Sequence, residues 1–479
     1  MSVRLKLFAM MFLEFFIWGA WLPLIFGYLP SLGFTGFQQA LILNAFPAAA
    51  ILAMFFSNQF ADRNFAAEKF LAVSHLVGGL SILALAFINT SPEAIKFIAE
   101  NSEAHWNPLA PFWPFFGLML VHCVFYVPTI SITNSIAFAS MKDAQEEFGI
   151  VRMGGTIGWI AAAWPFTFIL VDWEAVTAAN PDGLVSWLEA VLKNGLTGVA
   201  LQSGTKWTYI VASIASLVLA VFSLSLPHTP PKKATEGTWD AEKGRLVFDP
   251  SNKEGGRRKG RLAWLEATRL LKQPFVLVLW LVTFVDAFVH NCYFNWTGSF
   301  LGASAEAGGV GIPGNWIMPV MSVGQIAEIL TMFILGMTLK NLGWRTTMIL
   351  GVLGHAARFA VYAFFPQHPW LIIIVQVLHG ICYAFFFATV YIFVDEYFPK
   401  DMRSSAQGLF NVMILGVGAL VANTVCPTLI QTVFTKDGVT DFKGLFLVPL
   451  IASTAAAVAL ALFFHPPKIN RGSKAETQV

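Results

Sequence analysis

Charged side chains are scarce in this sequence. Only 12% of its 479 residues are Asp, Glu, Lys or Arg, whereas 56% are hydrophobic. An ordinary soluble domain has about twice that share of charged residues, and the mean hydropathy here is clearly positive at +0.64. The net charge of +2 is too small to suggest a nucleic-acid partner. The composition therefore excludes an ordinary soluble domain and indicates a protein of the membrane.

Metal-binding and catalytic motifs are also missing from the sequence. The four cysteines, Cys123, Cys292, Cys382 and Cys426, lie in apolar runs without a CxxC pair, so neither disulfides nor a metal site is predicted. There is no HxxxH or HExxH pair, no convincing nucleophile elbow and no phosphate-binding loop. We therefore expect no metal, no cofactor and no enzymatic activity.

Long apolar runs, in contrast, are abundant. Runs of about 20 residues are long enough to cross a bilayer as helices. Numbered as spans 1 to 12, they lie near residues 6–28, 38–60, 66–88, 109–139, 150–171, 206–226, 275–301, 316–339, 345–365, 369–394, 404–433 and 443–465. The pattern predicts an all-α integral membrane protein with twelve transmembrane helices.

A polar, basic stretch divides the spans into two sets of six. Residues 227–274 are rich in Pro, Gly, Lys and Arg and contain too little apolar sequence to cross a membrane. The end of this stretch, RLAWLEATRLLK, is amphipathic and is expected to lie along the membrane interface. We therefore predict a six-helix half over 1–226, a cytoplasmic linker with an interfacial helix over 227–274, a second six-helix half over 275–465, and a cytoplasmic tail over 466–479.

The orientation follows from the short loops between spans. Arg63 and Lys69 follow span 2, and basic residues also occupy the connections between spans 8 and 9 and between spans 10 and 11. These loops fall on the same side as the basic linker, and positive charge concentrates on the cytoplasmic side of membrane proteins. Both termini are therefore predicted to be cytoplasmic.

Six helices, a basic linker and six more helices are typical of the major facilitator superfamily, whose two halves rock about a central cavity. The turn FADRNFAAEKF after span 2 resembles a short cytoplasmic motif of that superfamily. Asp62 and Arg63 match its Asp-Arg pair, and the resemblance implies that they latch the cytoplasmic face in one of two states. A charged turn that only obeys the orientation rule is the alternative.

Polar and ionisable side chains interrupt several of the apolar runs. An ion at the centre of a membrane helix costs roughly 2.5 to 3.5 kcal/mol, so such residues usually face a cavity or a partner. The interruptions are Glu14 in span 1, Arg152 and Thr156 in span 5, Asp286, His290, Asn291 and Asn295 in span 7, Gln325 and Glu328 in span 8, and Arg358 in span 9. Spans 1, 5, 7 and 8 are thus the expected walls of a binding site.

Two spacings place polar groups on shared helix faces. Gln325 and Glu328 are three residues apart, so one ligand could touch both, although hydrogen bonds to neighbouring helices are the alternative. A buried carboxyl such as Glu328 also suits proton exchange. Asp286 and His290 lie four residues apart, and His290 is either a structural residue or a proton carrier. Arg152 could contact a ligand, or equally cap a loop or hold lipid headgroups.

Five stretches taken together resemble the nucleoside/proton symporter family within that superfamily. They are LEFFIWGAW, VRMGGTIGWIAAAW, MSVGQIAEIL, HGICYAFFFATVYIFVDEYFP and RSSAQGLF, in order along nearly the whole chain. The resemblance implies a secondary active transporter that imports nucleosides by proton symport through alternating access, in the inner membrane of a bacterium. Nucleoside, proton and membrane lipid are the implied partners, and no obligate protein partner is evident.

The resemblance also implies a substrate site. The residues at the family's substrate positions are Arg152, Thr156, Trp159, Asn291, Phe294, Gln325, Glu328 and Tyr383. Three of them depart from the family's residue: Trp159 replaces Phe, Asn291 replaces Gln, and Phe294 stands where Asn is expected. Gln325 and Glu328 would then hydrogen-bond the ribose or base, and the aromatic residues would flank the flat ring.

A larger departure follows Tyr383. Where the family typically carries an intramembrane Asp that takes part in substrate and proton binding, this sequence has Ala384. Either Glu328 alone couples transport, or Asp286, His290 or Glu14 supplies the missing ionisable group, or the protein is a facilitator. Because the changed positions lie in the implied pocket, a transporter of another small hydroxylated solute, such as a sugar or glycoside, is the alternative function. A receptor that retains the fold without transport is a third.

Overall fold

The structure, a computed structural model, describes residues 2–53, 65–88, 93, 96–97, 101, 111–141, 144–230, 238–240, 245–247, 268–397 and 403–466. Within these ranges, nine helices are long and apolar enough to cross a membrane, and the shorter apolar segment Gly36–Leu52 accompanies them. The predicted all-α membrane architecture is therefore confirmed. The predicted latch residues Asp62 and Arg63 lie outside the described residues.

The helices of the first half follow the predicted order. Span 1 is Val3–Ser31, span 2 comprises Gly36–Leu43 and Ala45–Leu52, span 3 is Ala67–Leu85, span 4 is Phe112–Ser140, span 5 is Ala144–Ala163 with the turn Phe166–Ile169, and span 6 is Lys206–Ser223. Span 2 begins with a capping box, in which Thr35 and Gln38 satisfy each other's backbone N–H groups.

The second half shows more interruptions. Span 7 is Pro274–Gly302, spans 8 and 9 form the segment Gly314–Phe364, and span 12 is Phe442–Phe463. Span 10 comprises, in order, Pro369–Ile374, the 3-10 turn Val375–Val377, Leu378–Cys382, the π-helical turn Tyr383–Ala388 and Thr389–Tyr397. Span 11 comprises, in order, Arg403–Asn411, the π-helical turn Val412–Val417, Gly418–Thr428 and the π-helical turn Leu429–Val433. Gly343 separates spans 8 and 9 with a φ of 72°, which only glycine adopts readily. Each predicted span thus overlaps a described helix.

Glycines bring span 5 unusually close to span 1. A Cβ atom added at Gly154 or Gly158 would collide with the backbone carbonyl groups of Phe8 and Phe12, respectively. The spacing of four residues puts both glycines on one face of span 5, as the small-xxx-small pattern predicts. This close packing holds the part of span 5 that carries Arg152 and Thr156 against span 1.

The connection between spans 5 and 6 contains three short helices that the sequence did not predict, Trp173–Ala178, Gly183–Lys193 and Gly198–Gly204. The middle one, which we call the outer helix, contacts the beginning of span 8. The Trp316 indole Nε1 donates to the Leu192 carbonyl at 3.0 Å, and the Asn315 amide donates to the carbonyls of Val191 at 3.2 Å and Thr167 at 3.3 Å. These three hydrogen bonds, the outer contact, tie the two halves together on this face.

Strands are few among the described residues. Within the linker, β1 (Thr238–Asp240) pairs antiparallel with β2 (Arg245–Val247). Before span 12, β3 (Thr435–Lys436) and β4 (Val439–Thr440) form a short hairpin, and the Asp-Gly turn between them has positive φ at both residues, as tight hairpins require. Where an interfacial helix was predicted, residues 261–267 lie outside the described part, and Thr268–Lys272 forms a 3-10 turn.

Candidate substrate and proton sites

Four of the predicted substrate residues lie together between the two halves. The Thr156 and Arg152 side chains of span 5 lie close to the Glu328 carboxylate of span 8 and act on its charge. The Arg152 side chain also lies close to the Tyr383 hydroxyl. We call these residues, Arg152, Thr156, Glu328 and Tyr383, the central cluster. It joins span 5 of the first half to spans 8 and 10 of the second half.

Aromatic rings flank the central cluster. The Arg152 guanidinium sits over the Phe15 ring, 4.1 Å from its centroid, where the electron-rich face of the ring attracts the cation. The Trp159 ring packs edge-on against Trp18 at 5.2 Å and faces Phe294 of span 7 at 6.3 Å. Two predicted residues, Trp159 and Phe294, are therefore brought together, and Phe15 and Trp18 join them. Phe15 and Trp18 both lie in the run LEFFIWGAW, but the sequence of this run does not indicate which face of the helix they occupy.

The asparagines of span 7 bind mainly within the protein. The Asn291 amide donates to the Ala287 carbonyl of its own helix at 2.8 Å. The Asn295 amide donates to the Asn423 side chain at 3.0 Å, and Asn423 in turn donates to the Leu43 carbonyl at 3.1 Å. Asn295 therefore joins spans 7, 11 and 2, which is the helix-joining role that intramembrane amides often have.

Gln325 and Glu328 reach different neighbours, although they share one helix face. Glu328 approaches Thr156 of span 5, whereas the Gln325 amide nitrogen lies 3.3 Å from Nε2 of His379 in span 10. Both side chains are buried, with exposed fractions of 6% and 8%. The face that they share thus connects the central cluster to a second group of polar side chains.

That second group lies inside the second half. It comprises Asp286 and His290 of span 7, His355 and Arg358 of span 9, and His379 of span 10, and we call it the C-terminal network. Arg358 contacts Nδ1 of both His355 and His379 at 2.9 Å. His355 Nε2 lies 3.7 Å from the Asp286 carboxylate, and the His290 ring stacks on the His379 ring at 5.0 Å. The sequence pointed to Asp286, His290 and Arg358 but missed the other two histidines.

The first half has a carboxylate–imidazole pair of its own. Glu14 Oε2 lies 2.9 Å from His75 Nε2, and Glu14 Oε1 accepts from the Thr129 hydroxyl at 2.8 Å. The other ring nitrogen of His75 contacts the Ser216 hydroxyl at 3.1 Å. All of these groups are buried. Glu14 was predicted to be an intramembrane acid, but its partner His75, 61 residues away, carried no signal in the sequence.

No three His, Cys, Asp or Glu side chains converge as a metal ion would require, among the residues that the structure describes. The two histidines of the C-terminal network that bind Arg358 do so through nitrogen atoms that a metal would otherwise need.

Comparisons with known proteins place this arrangement in a family. The sequence matches the family model described as nucleoside H⁺ symporter over residues 1–105, 107–249 and 246–469. Relatives in Escherichia coli (strain K12) include the putative nucleoside transporter YegT, 28% identical with 97% of this chain and 94% of the relative covered. A xanthosine permease from the same organism is 26% identical over 97% of this chain and 96% of its own.

Solved structures show the same fold. The crystal structure of the nucleoside transporter NupG superposes with a TM-score of 0.69 at 22% identity, covering 98% of this chain and 100% of that one. A D-xylose-proton symporter superposes with a TM-score of 0.62 at 15% identity, covering 97% and 98%. Because the family model spans nearly the entire sequence, the chain belongs to the nucleoside H⁺ symporter family.

Proposed function

We propose that this protein is a secondary active transporter that imports nucleosides together with protons by alternating access. The observation that carries the proposal is the central cluster, in which Arg152 and Thr156 of one half meet Glu328 and Tyr383 of the other. A nucleoside permease among its relatives supports the choice of substrate.

The chemistry of the cluster suits a nucleoside. Ribose hydroxyls can donate to the Glu328 carboxylate, and hydrogen bonds to an ionised group are about twice as strong as those between neutral groups. The Gln325 amide offers both a donor and an acceptor, which match the polar edge of a base. Trp159 and Phe294, whose rings lie 6.3 Å apart, provide apolar surface for the flat base.

The position of the cluster suits alternating access. Its residues come from both halves, so a ligand bound there stabilises a conformation in which the halves are close together. A ligand shifts a conformational equilibrium only by the difference in its affinity for the two states. A site made from one half alone would bind equally well in both states and would not drive the cycle.

The remaining features of the proposal concern orientation. The basic loops and linker favour cytoplasmic termini and an inner-membrane location, with the two halves bounded near residues 1–226 and 275–465. Asp62 and Arg63 are the proposed cytoplasmic latch.

The nucleoside crosses the membrane without chemical change, so labelled substrate recovered from vesicles should be intact.

Uptake of labelled uridine into liposomes, with and without an inward proton gradient, tests the proposal. Gradient-stimulated accumulation above empty liposomes is expected, and competition by adenosine but not by xylose would define the substrate class. Equilibration that ignores the gradient would indicate a facilitator, and the absence of uptake would overturn the proposal.

Glu328→Gln tests the site itself. The substitution keeps the shape but removes the charge, so uridine binding should weaken by roughly 10- to 100-fold, as expected for a lost charge-assisted hydrogen bond of about 1.5 to 3 kcal/mol. The matched control is Glu306→Gln in an exposed connection. Equal binding by both variants would remove Glu328 from the site.

A further inference from the structure

Arg358 fixes the hydrogen positions of two histidines. Its guanidinium is fully buried, and it lies over the Tyr293 ring at 4.1 Å. Two of its nitrogens contact Nδ1 of His355 and Nδ1 of His379, each at 2.9 Å. A guanidinium is always a donor, so both Nδ1 atoms must accept. Each ring is therefore neutral, with its own hydrogen on Nε2.

The two Nε2–H groups point toward different partners. That of His379 meets the side chain of Gln325, whose amide nitrogen is 3.3 Å away and whose Oε1 is buried without a partner among the described residues. A half-turn of this amide brings Oε1 to the N–H group and satisfies both atoms. His379 thereby links Arg358 to a residue of the proposed substrate site.

The Nε2–H of His355 points toward Asp286. The gap to the carboxylate is 3.7 Å, too long for a hydrogen bond. Both Asp286 oxygens and His355 Nε2 lack hydrogen-bond partners within the described part of the chain, although Asp286 is 0% exposed. An ionised carboxylate in that position would be costly. Binding a proton removes this cost, and so does closing the gap to about 2.9 Å, a normal hydrogen-bond length.

Asp286 and its surroundings therefore support two arrangements. In one, the carboxyl carries a proton and the gap to His355 stays open; in the other, the carboxylate is ionised and draws the His355 N–H toward it. A shift of His355 changes its contact with Arg358, and through Arg358 the contact of His379 with Gln325. A chain of five side chains thus connects a proton-accepting group to the substrate site: Asp286, His355, Arg358, His379 and Gln325.

We propose that Asp286 is the proton-coupling site of this transporter and that the His355–Arg358–His379 chain transmits its protonation state to Gln325. The inference rests on the function proposed above. The proton adds to the carboxylate on one side of the membrane and leaves on the other, and no bond of the substrate changes. Because Asp286 is fully buried here, the proton exchanges with water only in other conformations of the cycle.

The ionisable groups around Asp286 come from three spans. His290 lies one turn away on span 7, His355 and Arg358 face it from span 9, and Cys382 of span 10 is close enough to interact with its charge. From span 11, Gly418 packs against the neighbouring Ala287. Arg358 is the charged group that acts on Asp286, and it keeps its charge at every physiological pH.

The test compares coupled and uncoupled transport by Asp286→Asn. In liposomes with equal pH on both sides, this variant should still exchange labelled for unlabelled uridine. Under an inward proton gradient it should lose accumulation, and uridine should no longer move protons into vesicles that contain a pH-sensitive dye. The exposed variant Glu306→Gln is the matched control and should accumulate uridine as the unmodified protein does.

If the Asp286→Asn variant still accumulates uridine under the gradient, the inference is overturned and the proposed function stays intact. Absence of uridine exchange by the unmodified protein would instead overturn the proposed function. If Asp286→Asn does not bind uridine, His355→Leu decides the matter, because it leaves Asp286 in place but removes the N–H that stabilises its ionised form. His355→Leu should exchange uridine and lose gradient-driven accumulation, and retained accumulation would again overturn the inference.

Discussion

The two halves of the molecule each bury a carboxylate beside a histidine, and the two pairs differ in completeness. In the first half, Glu14 of span 1 and His75 of span 3 lie 2.9 Å apart, and the remaining atoms of both bind hydroxyl groups. In the second half, Asp286 of span 7 and His355 of span 9 occupy the corresponding spans but lie 3.7 Å apart, with both carboxylate oxygens unpartnered among the described residues.

The difference teaches how one arrangement can serve two purposes. A buried polar group that makes all its hydrogen bonds rigidifies its surroundings, whereas one that makes only some of them gains stability by moving or by changing its protonation state. The complete pair is suited to holding spans 1, 3, 4 and 6 together. The incomplete pair is suited to responding to a proton.

Removing the acid should have its largest effect in the first half. Glu14→Ala leaves His75 and Thr129 without their partner and should destabilise the protein by about 3 to 5 kcal/mol, the usual result of breaking a buried pair. Asp286→Ala breaks no formed hydrogen bond and should cost less. Melting temperatures of the two variants in one detergent provide the measurement, and an equal or larger loss for Asp286→Ala would contradict the comparison.

Replacing the arginine should have an intermediate effect confined to the second half. Arg358→Lys keeps the charge, but a single ammonium lacks the planar fork that holds both imidazoles at 2.9 Å. Loss of one such bond should cost about 1.5 to 3 kcal/mol and should abolish gradient-driven uridine accumulation. Lys272→Arg, in the 3-10 turn before span 7, makes the opposite exchange of the same two residue types outside the network and is the control. Retained accumulation by Arg358→Lys would contradict a relay through the guanidinium.

A single hydroxyl in the first half should have the smallest effect. Thr129→Val removes the hydrogen bond to Glu14 Oε1 and leaves the bond to His75, so we expect a loss of roughly 1 to 2 kcal/mol in stability. Thr133→Val, one turn later, removes only a bond to the Ile130 carbonyl of its own helix and should change the melting temperature less. Gradient-driven accumulation per folded molecule should be the same in both variants. A coupling defect in Thr129→Val alone would assign the first pair a role in proton transfer.

The sequence predicted most of the fold because apolar length is a strong signal for membrane helices. Each of the predicted spans overlaps a described helix. The outer helix Gly183–Lys193 escaped prediction because it is too short to span a bilayer and exposes much of its surface. The interruptions of spans 10 and 11 also escaped, since the apolar pattern continues through their π-helical turns.

The sites were predictable only in part. Spacing along one helix placed Gln325 and Glu328 on one face, but it did not indicate that their side chains reach different spans. A single histidine in an apolar run says nothing of its partner, and the partners here lie far apart in sequence: His75 binds Glu14, and His355 faces Asp286. Such pairings depend on which helix faces meet, which neither composition nor local periodicity contains.

The outer contact has a consequence for the speed of transport. Trp316 and Asn315 make three hydrogen bonds to the outer helix and to the turn that ends span 5, and separating the halves on this face breaks them. Each bond stabilises the closed arrangement by about 0.5 to 1.5 kcal/mol. Together the three bonds raise the activation barrier for opening by the sum of these contributions. A tighter contact would therefore give a more stable protein that turns over more slowly.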